Sequence, residues 1–266
     1  MSGDEALVFI LSLGIGGISW LVWFWRAAFT ARRCSRFSQR WPLLLYPLIC
    51  AAVLFAVLRR YSSFDVRDDP IYLAFYMVLG AMWVRLGSWF LPLLGLSARD
   101  DVIERGNAAA AHALGGALLG LTLCFAGGNI GDGPGWWVVV FCAFLSTAAF
   151  FFLWFFLDKV SGVADTATIE RDLAAGVRLA GYFIGTGLIL GRAVAGDWES
   201  AFATVVDFAE VGWPAVSLWL VAALVERRLR PSPERPHPPV LTHGIAPALL
   251  YLGLAAFTLA WTGPWS

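Results

Sequence analysis

Long apolar runs separated by short polar links dominate the chain. A helix needs about 20 mostly apolar residues to cross a hydrocarbon core. On that measure the pattern predicts eight spans, at roughly 6–25, 42–58, 71–96, 107–127, 136–157, 173–194, 201–225 and 243–263. The second is short, and the third is long enough to tilt or to break near Pro92. The links "GGNIGDGPG" and "AGDWES" are turns, and the link over 226–241, with prolines at 231, 233, 236, 238 and 239, reads as an extended strap. The expected fold class is therefore all-α, a polytopic transmembrane helix bundle. Its expected segments are a three-span stretch over 1–99, helix pairs over 100–160 and 161–230, and the strap with the last span over 231–266.

Composition strengthens this reading. Only 14% of the residues are charged and mean hydropathy is +0.71, where a soluble domain carries about 25% charged residues. The 14 Trp and 20 Phe suit a chain whose aromatic rings sit in and beside a bilayer. The formal net charge is zero, but the arginines are segregated. The links after spans one, three, five and seven hold Arg26, Arg32, Arg33, Arg36, Arg40, Arg99, Arg105, Lys159, Arg171, Arg227, Arg228, Arg230 and Arg235. The other side has Arg59, Arg60 and Arg67. By the positive-inside rule, the expectation is a bacterial inner-membrane protein with both termini on the non-cytoplasmic side. The acidic start "MSGDE" argues against a cleavable signal peptide. Nothing points to nucleic acid. Cys34, Cys50, Cys124 and Cys142 form no metal-binding or redox spacing and read as small buried thiols.

Two stretches read almost as one: "NAAAAHALGGALLG" from 107 and "DLAAGVRLAGYFIG" from 172. At a shift of 65 they align Ala109 with Ala174, Leu114 with Leu179, Gly116 with Gly181 and Gly120 with Gly185. Asn107 and Asp172 stand where an N-cap belongs. Each stretch opens a helix that leads through a short turn into a second one, which predicts a parallel repeat of a two-helix unit. Gly116/Gly120 and Gly181/Gly185 have GxxxG spacing, so the two helices are expected to pack on each other, or on symmetry mates, through these faces. The repeated lead, Asn or Asp, then xAAxxxLxGxxxG, resembles the bacterial inner-membrane YjfL-type family, a domain of unknown function, in two tandem copies over 100–226. This chain departs from the pattern at His112, at Asp172 and at Arg178. The resemblance implies a paired-helix membrane domain without an established catalytic activity, in an envelope-stress setting.

Ionisable residues inside spans are candidate functional groups because they are costly to place there. Arg85 falls in span three, Arg192 near the outer end of span six, and Asp207 and Glu210 on one face of span seven. Counted by depth, these four are expected to form a neutral network, which either fixes packing or lines a cavity for a cation or proton. His112 and Arg178 are candidates for a polar pathway; the alternatives are a hydrogen-bonded packing histidine and an arginine that snorkels to the surface. No hydrolase, phosphate-loop or paired-histidine pattern occurs, so no enzyme activity, cofactor or metal is expected. Two functions stand open. One is a small channel or transporter for an ion or small solute; the other is a scaffold whose basic and proline-rich links recruit a peripheral cytoplasmic protein. The expected partners are membrane lipid and further copies of the chain.

Overall fold

The computed structural model describes residues 1–30, 37–231 and 238–263, with the side chains of 30 and 37–40 excepted. Arg32, Arg33, Cys34, Arg36, Arg235, His237 and the middle of the proline-rich strap lie outside the described residues. Eleven α-helices and no strand occur among those described. They are α1 (Gly3–Trp25), α2 (Phe37–Tyr61), α3 (Phe64–Asp68), α4 (Pro70–Ser88), α5 (Ala108–Gly127), α6 (Trp136–Ser161), α7 (Val163–Thr168), α8 (Leu173–Ala193), α9 (Ala201–Gly212), α10 (Pro214–Leu229) and α11 (Ala246–Trp261). Eight continuous helical stretches are long and apolar enough to cross a membrane, and the chain is a multi-pass membrane protein.

Local chemistry sets where the helices start. Ser2 and Glu5 form a reciprocal capping box on α1. Asp69 caps α4 through Ile71 N, with Pro70 in the first helical position where no N–H is needed. Span three ends as the pattern around Pro92 suggests, in a short 3₁₀ turn over Leu91–Leu94 closed by Gly95 in the left-handed region. Span seven differs from the sequence reading. It is two helices, because Pro214 cannot donate to the turn before it and α9 stops at Gly212.

The two matched stretches share their local geometry. Asn107 Oδ1 accepts from Ala109 N and Ala110 N, and the Asp172 carboxylate accepts from Ala174 N and Ala175 N. Just upstream, Gly106 (φ 62°) and Arg171 (φ 58°) both turn left-handed. The caps' own N–H groups then reach back to Asp101 O and Thr166 O. Asn107 Nδ2 also donates to Ala167 O and Thr168 O, which ties the start of α5 to the approach of α8.

α5 and α8 are the centre of the bundle: 83% and 72% of their apolar windows are buried, against 17–44% for the other spans. They pack backbone to backbone. The Ala180 backbone lies against Gly116, that of Ala109 against Gly176, that of Gly191 against Gly127, and a Cβ on Gly187 would stand 2.6 Å from Gly120 Cα. The expected contact between the helices therefore forms, but not through both GxxxG faces. Gly181 and Gly185 turn away from α5 onto α11, where a Cβ on Gly181 would lie 2.6 Å from Ala248 Cα and one on Gly185 3.1 Å from Tyr251 O.

This asymmetry has a simple geometric origin. The contacts Ala109–Gly176, Gly116–Ala180 and Gly120–Phe183 between α5 and α8 recur between α8 and α11 as Ala174–Gly244, Gly181–Ala248 and Gly185–Tyr251. One helix's GxxxG ridge receives the next helix, whose own ridge is then free for its successor. The packing is head-to-tail rather than two-fold. On the other flank of α5, Tyr46 of α2 covers Gly115. The row runs α2, α5, α8, α11, with α6, α9 and α10 packed alongside and α1 against α4.

Candidate functional site

Two opposite faces are distinguished by their charge. One carries Glu5, Asp65, Asp132 and Asp197 and is called the acidic face. The other carries Arg26, Arg99, Arg105, Arg171 and Arg227 and is called the arginine face. Trp136 donating to Asp4, and Arg192 donating to Thr262 O, place the starts of α1 and α6 and the ends of α8 and α11 together on the acidic face.

Arg178 enters the bundle five residues into α8, on the arginine-face side. It is fully buried rather than snorkelling, and Glu226 of α10 is 5% exposed. Arg178 Nε donates to Glu226 Oε1 at 2.9 Å and Nη2 to Oε2 at 2.7 Å, a bidentate pair. Nη1 donates to His243 O, at the turn that enters α11. The pair thus joins three elements of the central row and its flank. Glu226 escaped the sequence reading because it stands in "VERRLR", where an acid among arginines reads as an exposed helix end. At a shift of 65, the positions matching Arg178 and Glu226 in the first helix pair are Ala113 and Ser161, so the charge pair belongs to the second pair alone.

From Arg178, polar groups continue along α8 at intervals of four, at Tyr182 and Thr186, on one face. Both are buried; among the described residues neither hydroxyl meets a third partner, and the two interact with each other across one helical turn. Tyr251 of α11, edge-on to Tyr182 with ring centroids 6.3 Å apart, also carries a buried hydroxyl without a partner. A buried hydroxyl short of partners costs up to about 1–3 kcal/mol, so three sharing so few partners in one place are unusual for a core that only has to be stable.

The chain has no match among protein families, curated proteins or solved structures. Function must therefore be read from the geometry.

The four residues expected to form one network are not brought together. Asp207 and Glu210 are exposed on α9, and no ion pair among the described residues includes them, Arg85 or Arg192. Arg192 donates to Ala195 O and Thr262 O, capping helix ends on the acidic face. Arg85 lies 15 residues into a span that runs on to Leu94, about 22 Å from its start. Asp207 is six residues, about 9 Å, from the start of its own span, which begins on the same face. The helices also keep them apart laterally, because α4 packs on α1, α2 and α5 whereas α9 packs on α8 and α10. His112 pairs with Tyr46, Nδ1 to Oη at 3.1 Å, and links α5 to α2. Among the described cysteines, Cys50, Cys124 and Cys142 are free and buried.

Asp207 does line a cavity. A crevice of about 220 Å³ opens on the acidic face between the turns that follow α5 and α8. Its carboxylates are Glu5, Asp65, Asp132, Asp197 and Asp207, and no Lys, Arg or His lines it. The two turns are stitched together: Asp132 N donates to Asp197 Oδ1, Trp198 N to Asp132 O and Gly196 N to Ile130 O. The carbonyl ends of α5 and α8 close its floor and add negative potential. No group of three or more acidic, His or Cys side chains is close enough to chelate a bare metal ion among the described residues. The electrostatics suit a hydrated or organic cation.

Proposed function

We propose that this protein is a small channel or transporter for a cation in the bacterial inner membrane, built on a duplicated two-helix unit of the YjfL type. The arginine face is cytoplasmic in this reading, as positive-inside asymmetry requires. The acidic crevice is the outer entrance, and the stripe Thr186, Tyr182, Arg178 with Glu226 is the inner polar element. The carrying observation is that stripe: a buried ion pair continued along α8 and α11 by buried hydroxyls that, among the described residues, are short of hydrogen-bond partners. Thr186 and the crevice wall at Ala193 are seven positions apart, about 10 Å, with Ile189 and Leu190 buried between them and Arg192 next to the wall. The apolar step at Ile189 and Leu190 makes the described conformation a closed one.

The test is cation flux into proteoliposomes for the wild type, Tyr182→Phe and Thr186→Val. Both substitutions keep the side-chain shape and delete a hydroxyl whose one partner among the described residues is the other of the two. If the hydroxyls serve packing alone, the variants are as stable as the wild type or more so, with flux unchanged. If they line the path, flux falls while stability holds. Absence of flux in folded wild-type protein under every imposed gradient would sink the proposal.

A further inference from the structure

Arg85 takes no part in the stripe, and its surroundings form a second built site. Its guanidinium lies between two indoles, 5.4 Å from the Trp23 ring centroid and 5.6 Å from that of Trp89. Trp23 is itself fixed by Nε1 donating to Leu43 O. Arg85 Nη1 donates to Ser88 Oγ at 2.6 Å and Nε to Ser19 O at 3.4 Å, and Nη2 has no acceptor among the described residues. The arginine is thus held in place, with one edge open and its charge unmatched by any carboxylate.

That edge lines a cavity of about 340 Å³ at the arginine-face end of α1 and α4. Arg26 and Arg99 line it with Arg85, and no acidic residue does. Arg99 is already engaged by Glu104 at 3.0 Å, whereas Arg26 and Arg85 have no acidic partner among the described residues. The link over 26–40 holds no acid that could supply one. Apart from Ser88 and Ser97 the remaining wall is apolar or aromatic, with Val22, Leu43, Leu114 and Pro92. Arg85 lies nine residues, about 14 Å along the helix, from the end of its span, so its side chain reaches toward headgroup depth.

We propose that this cavity binds the phosphate headgroup of an anionic phospholipid from the leaflet on the arginine face. Arg26 and the open edge of Arg85 hold the phosphate, and the apolar wall takes the start of an acyl chain. A free anion would gain nothing from that wall, and a zwitterionic headgroup would bring its own ammonium against two unpaired guanidinium groups. The site is independent of transport, since it requires no path through the bundle.

Native mass spectrometry of protein supplied with phosphatidylglycerol or phosphatidylcholine in detergent tests the assignment. A basic residue near an anionic surface is worth about fivefold in binding. Wild-type protein should therefore retain phosphatidylglycerol roughly 25-fold better than phosphatidylcholine. Arg85→Gln and the exposed Arg26→Gln should each reduce that preference about fivefold. Arg60→Gln, on the opposite face, should leave it unchanged. Arg26→Gln keeps the test decisive if Arg85→Gln fails to fold. Equal retention of the two lipids, an undiminished preference in Arg26→Gln, or displacement of the lipid by inorganic phosphate would each overturn the proposal.

Discussion

Replacing Glu226 by Leu is the sharpest perturbation the fold offers. It removes both acceptors of the bidentate pair and leaves Arg178, fully buried, with His243 O as its remaining described acceptor. Removing one partner of a buried ion pair costs about 3–5 kcal/mol, because the remaining charge stays desolvated. Arg178→Met leaves the carboxylate in the same position and should cost a similar amount. The double variant Arg178→Met/Glu226→Leu strands no charge, and replacing a buried pair by apolar side chains of similar volume is often neutral. The expected loss for the double variant is below about 2 kcal/mol, so the cycle should show strong non-additivity. Reversible unfolding in mixed micelles, followed by SDS titration, measures all four corners. Values at the low end are expected, because helices unfolded within a micelle still find polar partners. Additive single effects, or singles costing under about 1 kcal/mol, would mean that Arg178 reaches water, and the reasoning would fail.

Two further predictions use the same assay. Gly116→Ala places a methyl against the Ala180 backbone, which cannot yield without parting α5 from α8, and should destabilise by about 1–3 kcal/mol. Gly14→Ala on α1, with nothing within 4 Å of its Cβ, should instead stabilise by roughly 0.5–1 kcal/mol through helix propensity alone. Equal effects at the two sites would refute the packing account. Arg171 holds a left-handed backbone that its matched position gives to Gly106, so Arg171→Gly should gain about 1 kcal/mol. A loss there would mean that its side chain matters more than its backbone.

The span count was legible because run length and arginine placement report directly on the cost of burying charge in hydrocarbon. The caps at Asn107 and Asp172 were legible for a local reason too, since an N-cap bonds to residues two and three positions on. The charge pairing was not. Arg178 finds its acid 48 residues away on a helix whose course is set by the break at Pro214. Nothing within either segment records that meeting. Depth counting could not bring Arg85 to Asp207 for a related reason: depth does not say which helices are neighbours, and α4 packs on α1 and α5 while α9 packs on α8 and α10. The glycine ridges were legible as packing faces but not as to partner. A GxxxG face has no address, and Gly181 serves α11 as readily as Gly116 serves α8.

That lack of address raises the question of why the row stops. Carried forward by the spacing of 68 that relates Gly176 to Gly244, the ridge positions Gly181 and Gly185 fall on Leu249 and Gly253 of α11. Gly253 is exposed with nothing within 4 Å of its Cβ, and Leu249 is 62% exposed. A leucine at the first ridge position holds an incoming backbone away, since even a Cβ would run into the Ala180 backbone at the matching Gly116 and lie 2.6 Å from that of Ala248 at Gly181. On this reasoning Leu249 blocks the ridge that α11 would otherwise offer to a further helix. Leu249→Gly should reopen the ridge and increase self-association through α11. The measurement is the oligomer mass in detergent by light scattering, with disulfide cross-linking from a cysteine introduced at Gly253. The glycine itself costs the helix about 1 kcal/mol, so stability should fall slightly while mass rises. An unchanged mass with no cross-link at 253 would show that the row ends for want of a partner helix rather than because of Leu249.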